Sequence, residues 1–322
     1  MPIVQFIKNW TLPISMCIGA LSYFVYTGIP ALASTHRLVG QFIGVLQPAL
    51  IFAMLFITFC KVDPKDLRPC RWHGWLLAIQ AGSFALLALP AILFPDMPGE
   101  VLLEGAMLCM ICPTATAAAV VTGKLGGSAA RLTTYTILIN LVTACIVPVF
   151  VPMLHPHGHL TFGASFILIL SKVFPLLFCP FLAALAVRYF LPPVHRMVLR
   201  CKDLAFYLWA VALAIAIAVT VKSIVHSHVS VGYQAGIAAV SLICCILQFF
   251  IGKRIGSHYG DAISSGQALG QKNTVFAIWM GYTFMTPVTS IAGGFYSVWH
   301  NIFNSYQLYR KRKEENNGLK HS

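Results

Sequence analysis

Ten apolar stretches, each about long enough to cross a bilayer and joined by short polar connections, leave this chain few folds to choose from. They fall roughly at 9–29, 38–60, 74–94, 100–122, 129–153, 162–191, 203–225, 231–256, 262–283 and 287–309. The runs are continuously apolar instead of alternating every second residue, which predicts helices and not a barrel. Composition points the same way. Only 10% of the residues are charged and 58% are apolar, whereas a soluble domain carries roughly 25% charged residues. No hydrophilic stretch is long enough for a separate soluble domain. The first run begins after a lone Lys8 and nine more runs follow, so it reads as a retained span and not as a cleaved signal.

Charge fixes the expected orientation. Of the 22 basic residues, 18 fall at one set of ends and loops, and the alternate loops carry only Arg37 and Lys222. Basic residues stay on the cytoplasmic side, so both termini are expected there, in a multi-pass protein of the plasma or inner membrane. The net charge of +13 is thus a matter of topology. Its scatter over short segments gives no folded basic surface for nucleic acid.

Enzyme chemistry needs convergent acids, bases or nucleophiles. The nine acidic residues fall in loops, tails or span ends, and no Ser/His/Asp set or carboxylate pair can be placed at one depth. An intramembrane enzyme is therefore kept only as an alternative. Cys109-Met-Ile-Cys112 has a CxxC spacing but lies in an apolar run without a second pair, so it reads as small, soft membrane residues and not as a metal or redox site. His155, His157 and His159 read as a solvated loop. No cofactor is implied.

The last two intramembrane charges, Lys172 and Lys272, are different. Lys172 lies close enough to the outer face for its side chain to snorkel outward. Lys272 sits inside Gly-Gln-Lys-Asn-Thr (270–274), in a run interrupted by Ser264, Ser265, Gln267, Gln271, Asn273 and Thr274. A charge at that depth is expensive and marks a site for ions or substrate. Irregular backbone at that depth survives only when buried in protein or lining a cavity. A second interruption, Cys-Pro-Thr-Ala-Thr-Ala (112–117), lies in the fourth run, where Pro113 removes a helix hydrogen bond. The two breaks occupy the fourth and ninth of ten spans, the same place in each five-span half. An odd number of spans per half inverts the second half in the membrane, and paired breaks in inverted halves point to a transporter's binding site. Helix ends exposed there suit an anion. The expected organisation is a first five-helix repeat over 1–153, a second, inverted repeat over 162–309, and a basic, disordered cytoplasmic tail over 310–322.

With these residues in view, the chain resembles the bile acid:sodium symporter superfamily over nearly its whole length. The resemblance is carried by Cys-Pro-Thr-Ala-Thr-Ala, by Gly-Gln-Lys-Asn-Thr-Val-Phe-Ala, by Ser297-Val-Trp-His-Asn-Ile302, by Gln80 and by Pro-Lys-Asp-Leu-Arg (64–68). It implies a panel of spans 1, 2, 6 and 7 beside a core of spans 3–5 and 8–10, with discontinuous helices 4 and 9 crossing in the core. It also implies alternating access and an organic-anion substrate. Thr114, Thr116, Gln271, Lys272, Asn273, Thr274, His300 and Asn301 are the expected substrate-facing residues. Gln80, Thr136, Glu104 and Lys272 are the expected ion-coupling or charge-bearing ones.

The departures from the family pattern concern sodium. Where sodium-using members place ligands, this chain has Ala118, Ala119, Leu132 and Ala268; the glutamine of those members aligns with Lys272, and Thr136 is kept. The reading is a sodium-independent secondary transporter of a small organic anion, with Lys272 in place of the coupling cation. Two mechanisms fit: a fixed counter-charge, or a lysine that releases a proton each cycle. A sodium-coupled organic-anion symporter is the alternative within the same class.

Overall fold

The computed structural model describes residues 2–95, 97–155, 160–201 and 204–318. Among them every regular element is a helix. The first half holds α1 (Pro2–Gly28), α2 (His36–Cys60), α3 (Arg71–Leu93), α4 (Glu100–Ile111), α5 (Ala118–Leu125) and α6 (Ala129–Leu154). The second holds α7 (Phe162–Leu177), α8 (Cys179–Phe190), α9 (Pro192–Arg200), α10 (Leu204–Val225), α11 (Val231–His258), α12 (Ala262–Gly270), α13 (Thr274–Phe284) and α14 (Pro287–Gly318). Five of these, namely α2 with the short 3-10 turn before it, α3, α6, α10 and α11, are long and apolar enough to cross a membrane, and α7 with α8 makes a sixth if the bent pair counts as one span. The protein is an all-α, multi-pass membrane protein.

Burial is distributed as a bilayer demands. Large apolar side chains such as Phe42, Val45, Leu86, Ile167 and Phe250 are exposed on the perimeter, while Gln80, Thr114, Asn140, Ser264, Gln267 and Lys272 are buried. Lipid tails solvate leucine as well as another helix does, so helices associate through close packing and internal hydrogen bonds. The tightest seam shows the rule. Gly252 and Gly256, one turn apart on α11, face α12 so closely that a Cβ on Gly252 would lie 2.6 Å from the Ser265 carbonyl oxygen. Ser265 itself donates to the Asp261 carbonyl at 2.7 Å, so its hydroxyl is spent within α12.

Contacts sort the helices into two sets. One contains α1, α2, α8 and α10, the other contains α3–α6 and α11–α14, and α7 packs on both, most extensively on α6. The two sets also meet directly where α10 packs on α13 and α14 and where α2 packs on α13.

Three features differ from the sequence reading. The sixth span (162–191) is broken: α7 and α8 are bent by 41° about Phe178, with Pro175 before the bend and Pro180 opening α8. Residues 192–200, taken as loop, form the basic helix α9, tied down by His195 Nε2 at 2.9 Å from the Cys60 carbonyl. The segment 310–318, expected to be disordered, continues α14 as helix to Gly318, where Arg310 and Glu314 pair one turn apart at 3.3 Å. Residues 319–322 lie outside the described residues.

Overpacking a close seam costs about 1–3 kcal/mol. Gly252→Ala is therefore expected to lower the thermal midpoint of the detergent-purified protein. Gly163→Ala, where a Cβ meets nothing within 4 Å, is expected to leave it unchanged or raise it. Equal midpoints for the two variants would contradict the packing described for α11 and α12.

Candidate functional site

Each break is a helix that stops in the middle of the protein. After α4 the chain leaves helical geometry at Cys112, because Pro113 has no N–H to continue the ladder. After α12 it leaves at Gln271 and re-enters helix at Thr274. The two irregular segments run side by side and antiparallel, with Thr114 opposite Lys272. The Asn273 N–H donates to the Pro113 carbonyl at 2.8 Å and the Ala115 N–H to the Gln271 carbonyl at 2.9 Å. Each break supplies the hydrogen bonds that the other lost.

The last carbonyls of a helix have no partner within it, and inside a bilayer no bulk water replaces one. At the end of α4 each finds a named donor. Cys109 accepts from Gln248 Nε2 at 3.2 Å. Ile111 accepts from Gln80 Nε2 at 3.2 Å and from Thr143 at 3.1 Å. Cys112 accepts from Gln80 Nε2 at 2.8 Å. Met110 takes the remaining contact, from the Lys272 ammonium at 3.4 Å. The end of α12 is treated alike: the Thr114 hydroxyl donates to the Ala268 carbonyl at 2.7 Å, and Tyr296 Oη to the Gly270 carbonyl at 2.8 Å.

Lys272 is only 1% exposed. Among the described residues no carboxylate pairs with it. Its charge instead faces the carbonyl end of α4, which carries roughly half a negative charge. The Lys272 backbone N–H donates to His300 Nδ1 at 3.3 Å, so that ring nitrogen is the unprotonated one. Asn273 caps α13, its Oδ1 accepting from the Phe276 N–H at 3.2 Å, which is why an Asx residue stands there.

Of the sequence-predicted residues, the structure brings together Thr114, Gln271, Lys272, Asn273, Thr274 and His300, all buried. Thr116 follows Thr114 in the first break and is half-buried. Asn301 is half-buried on α14 and donates to the Ser297 carbonyl at 2.6 Å. Gln80 adjoins the crossing but is fully engaged, because its Oε1 accepts from Tyr135 at 2.8 Å while its amide caps α4. Thr136 is turned back on its own helix, donating to the Leu132 carbonyl at 3.0 Å.

Glu104 is elsewhere. It lies six residues before Met110, about 9 Å along α4, and is buried between Thr289, whose hydroxyl donates to it, and His155, whose Nε2 is 2.7 Å from Oε1. His155, half-buried, thus pairs with a buried carboxylate instead of standing free in a solvated loop. His157 and His159 lie outside the described residues. Lys172 is exposed on α7. The thiols of Cys109 and Cys112 donate to the Ala292 and Asn273 carbonyls, and the described residues hold no cluster fit for a metal ion.

Sequence reasoning missed Tyr135, Thr143, Gln248 and Tyr296, which hold the two breaks. The signal available was an amide, Gln248, deep inside the apolar run of α11. Several buried polar atoms around the crossing have no protein partner: Gln267 Oε1, Gln271 Oε1, Asn273 Nδ2, Ser297 Oγ and Asn304 Nδ2.

The sequence profile of the Sodium Bile acid symporter family matches residues 48–227. The chain belongs to the sodium bile acid symporter family. That makes it a membrane transporter of the bile acid symporter type. No curated protein matches it. The family match takes in the α4–α5 break and ends before α11, so Lys272 and the second break lie beyond it.

Leaving a buried polar group unpaired costs about 1–3 kcal/mol. Gln80→Leu is expected to destabilise the protein by at least that much in sodium-free buffer, since it strands the Cys112 carbonyl and the Tyr135 hydroxyl together. Tyr135→Phe in the same background is expected to recover part of the loss. A purely additive pair of effects in chemical or thermal unfolding would count against the cap.

Proposed function

We propose that this family member carries a small organic anion by alternating access without sodium, with Lys272 supplying the positive charge that a bound cation supplies elsewhere. The observation that carries the reading is the buried Lys272 ammonium, directed at the Met110 carbonyl with no carboxylate against it. A buried charge left without a counter-charge is costly, and an anion arriving at the crossing offsets that cost. The unpartnered amide atoms of Gln271 and Asn273 flank the lysine and supply one acceptor and one donor for a polar ligand. Thr114, Thr116, Thr274, His300 and Asn301 complete the proposed substrate contacts.

In this reading the chain makes ten spans, with α4–α5 as the fourth and α12–α13 as the ninth, arranged as inverted halves over 1–153 and 162–309. In it α1, α2, α7, α8 and α10 make the panel, and α3–α6 with α11–α14 make the core that holds the crossing. The cleft between them opens alternately to each side. Both termini are cytoplasmic, because the basic loops lie on that side. Gln80 and Thr136 act as internal ties, since each already has protein partners.

Topology is tested by cysteine labels in intact cells. Labels in the 61–73 loop and after 310 are expected inside, and labels at 155–159 outside. Loop 155–159 and the C-terminal end on one side would overturn the inverted scheme, because an odd number of spans separates them.

Binding is tested by thermal shift in choline buffer with a panel of organic anions, since a ligand that binds only the folded protein stabilises it by mass action. Loss of a hydrogen bond to a charged group costs about 1.5–3 kcal/mol, so Lys272→Gln is expected to weaken affinity about tenfold or more. It is not expected to confer sodium dependence, because Ala118, Ala119 and Ala268 offer no oxygen ligands. Asn273→Ser keeps a capping oxygen for α13 and removes only the amide donor, which separates loss of binding from loss of fold. Uptake that rises as external pH falls, with Lys272→Gln flattening the profile, identifies the lysine as a proton carrier. A flat wild-type profile identifies a fixed counter-charge. Collapse of wild-type uptake in choline would defeat the sodium-free reading and favour a sodium-coupled symporter.

A further inference from the structure

At its C-terminal end α14 outruns the bilayer. Its 32 residues span about 48 Å at 1.5 Å per residue, against a hydrocarbon core of about 30 Å. Counting about twenty residues from Pro287 brings the helix to the membrane interface near Tyr306, on the side that carries the basic loops. A groove of about 400 Å³ opens there between α14, the end of α11 and the start of α12. Lys253, Phe303, Tyr306, Arg310, Lys311 and Glu314 line it.

Lys253 and Arg310 there face the carboxylate of Glu314. Glu314 is shared with Arg310 at 3.3 Å, and both side chains are well exposed, a pairing of little strength that leaves most of the guanidinium donors to spare. Lys253 has an aromatic partner, its Nζ lying 5.1 Å from the centre of the Phe303 ring. Among the described residues no carboxylate pairs with it. Tyr306 is exposed at the rim, as tyrosines are where a helix leaves the hydrocarbon. Towards the membrane interior the same two helices expose Phe250 and Ile302. The surface is thus cationic and hydrogen-bonding at headgroup depth and apolar just beneath.

We infer that this groove binds the headgroup of an anionic phospholipid, with Lys253 and Arg310 holding the phosphate and the acyl chains lying along Phe250 and Ile302. A lipid phosphate offers oxygen acceptors to both cations, and basic pockets between transmembrane helices at this level are the sites such headgroups occupy. A soluble phosphate would leave the apolar strip below the groove without a role. The site is separate from the helix crossing, and the inference does not depend on what the protein transports.

The test uses the full chain in detergent with an equimolar mixture of phosphatidylglycerol and phosphatidylcholine of matched acyl chains, read by native mass spectrometry. The wild type is expected to retain phosphatidylglycerol preferentially. The Lys253→Gln/Arg310→Gln variant is expected to lose about tenfold or more of that preference, at the usual worth of a basic residue near an anionic headgroup. Lys253→Arg/Arg310→Lys is expected to keep it, and Arg196→Gln/Arg200→Gln on the basic helix α9 to leave it unchanged. Lys253 also touches α12 beside Gly266, so Arg310→Gln alone, on an exposed side chain, carries the same expected direction if the double variant is unstable. Three outcomes overturn the inference: no preference in the wild type, an equal loss in the α9 variant, or full competition by free glycerol phosphate.

Discussion

The structure depends on satisfying the carbonyl end of α4 in the middle of a membrane protein. A helix that stops there exposes acceptors to a medium without bulk water. The chain answers with donors from three other helices and the second break: Gln80 of α3, Thr143 of α6, Gln248 of α11 and Lys272; the Asn273 N–H satisfies Pro113, and Tyr296 of α14 serves the partner helix end. Much of the packing follows. The helices that deliver these donors form the set built around the crossing, and close seams such as Gly252 against Ser265 hold them at the required distance. The two breaks are also mutually dependent, since Pro113 and Gln271 carbonyls are satisfied only by each other's segments.

Lys272 is the one cationic group in this set of donors. An amide in its place would satisfy the Met110 carbonyl but bring no charge. The lysine's side-chain nitrogen lies at the carbonyl end of a half-helix, which carries partial negative charge. The interaction therefore ties the second break to the end of α4. His300 fixes the peptide that carries it, so the position of the charge is set by backbone geometry as well as by its own flexible side chain.

Glu104, another buried ionisable side chain, is kept apart from Lys272. Glu104 is tied to His155 at the end of α6 and to Thr289 near the start of α14. Three elements are clasped at the end of the bundle opposite the basic loops. Glu104 lies about 9 Å along α4 from Met110, the residue whose carbonyl Lys272 contacts.

Membrane class, helix content and the two breaks were legible in the sequence, because bilayer thickness and proline chemistry act locally: a run of apolar residues or a Pro113 has the same meaning wherever it lies. The importance of Lys272 could also be read, from the cost of a charge in an apolar run. The sequence could not show that Gln80 and Thr136 are spent on internal hydrogen bonds, or that His155 reaches Glu104. It also could not show that residues 310–318 extend α14 or that Phe178 bends the sixth span. These depend on which groups from distant parts of the chain come within about 3 Å, and a hydrogen bond between Tyr135 and Gln80 or between Thr114 and Ala268 leaves no periodic trace in either segment. By itself the sequence determined the solvent, the helical class and where the backbone must fail, since those are properties of contiguous residues. Only the tertiary structure decided which side chains repair each failure, because hydrogen bonding inside a bilayer is satisfied between helices and not along them.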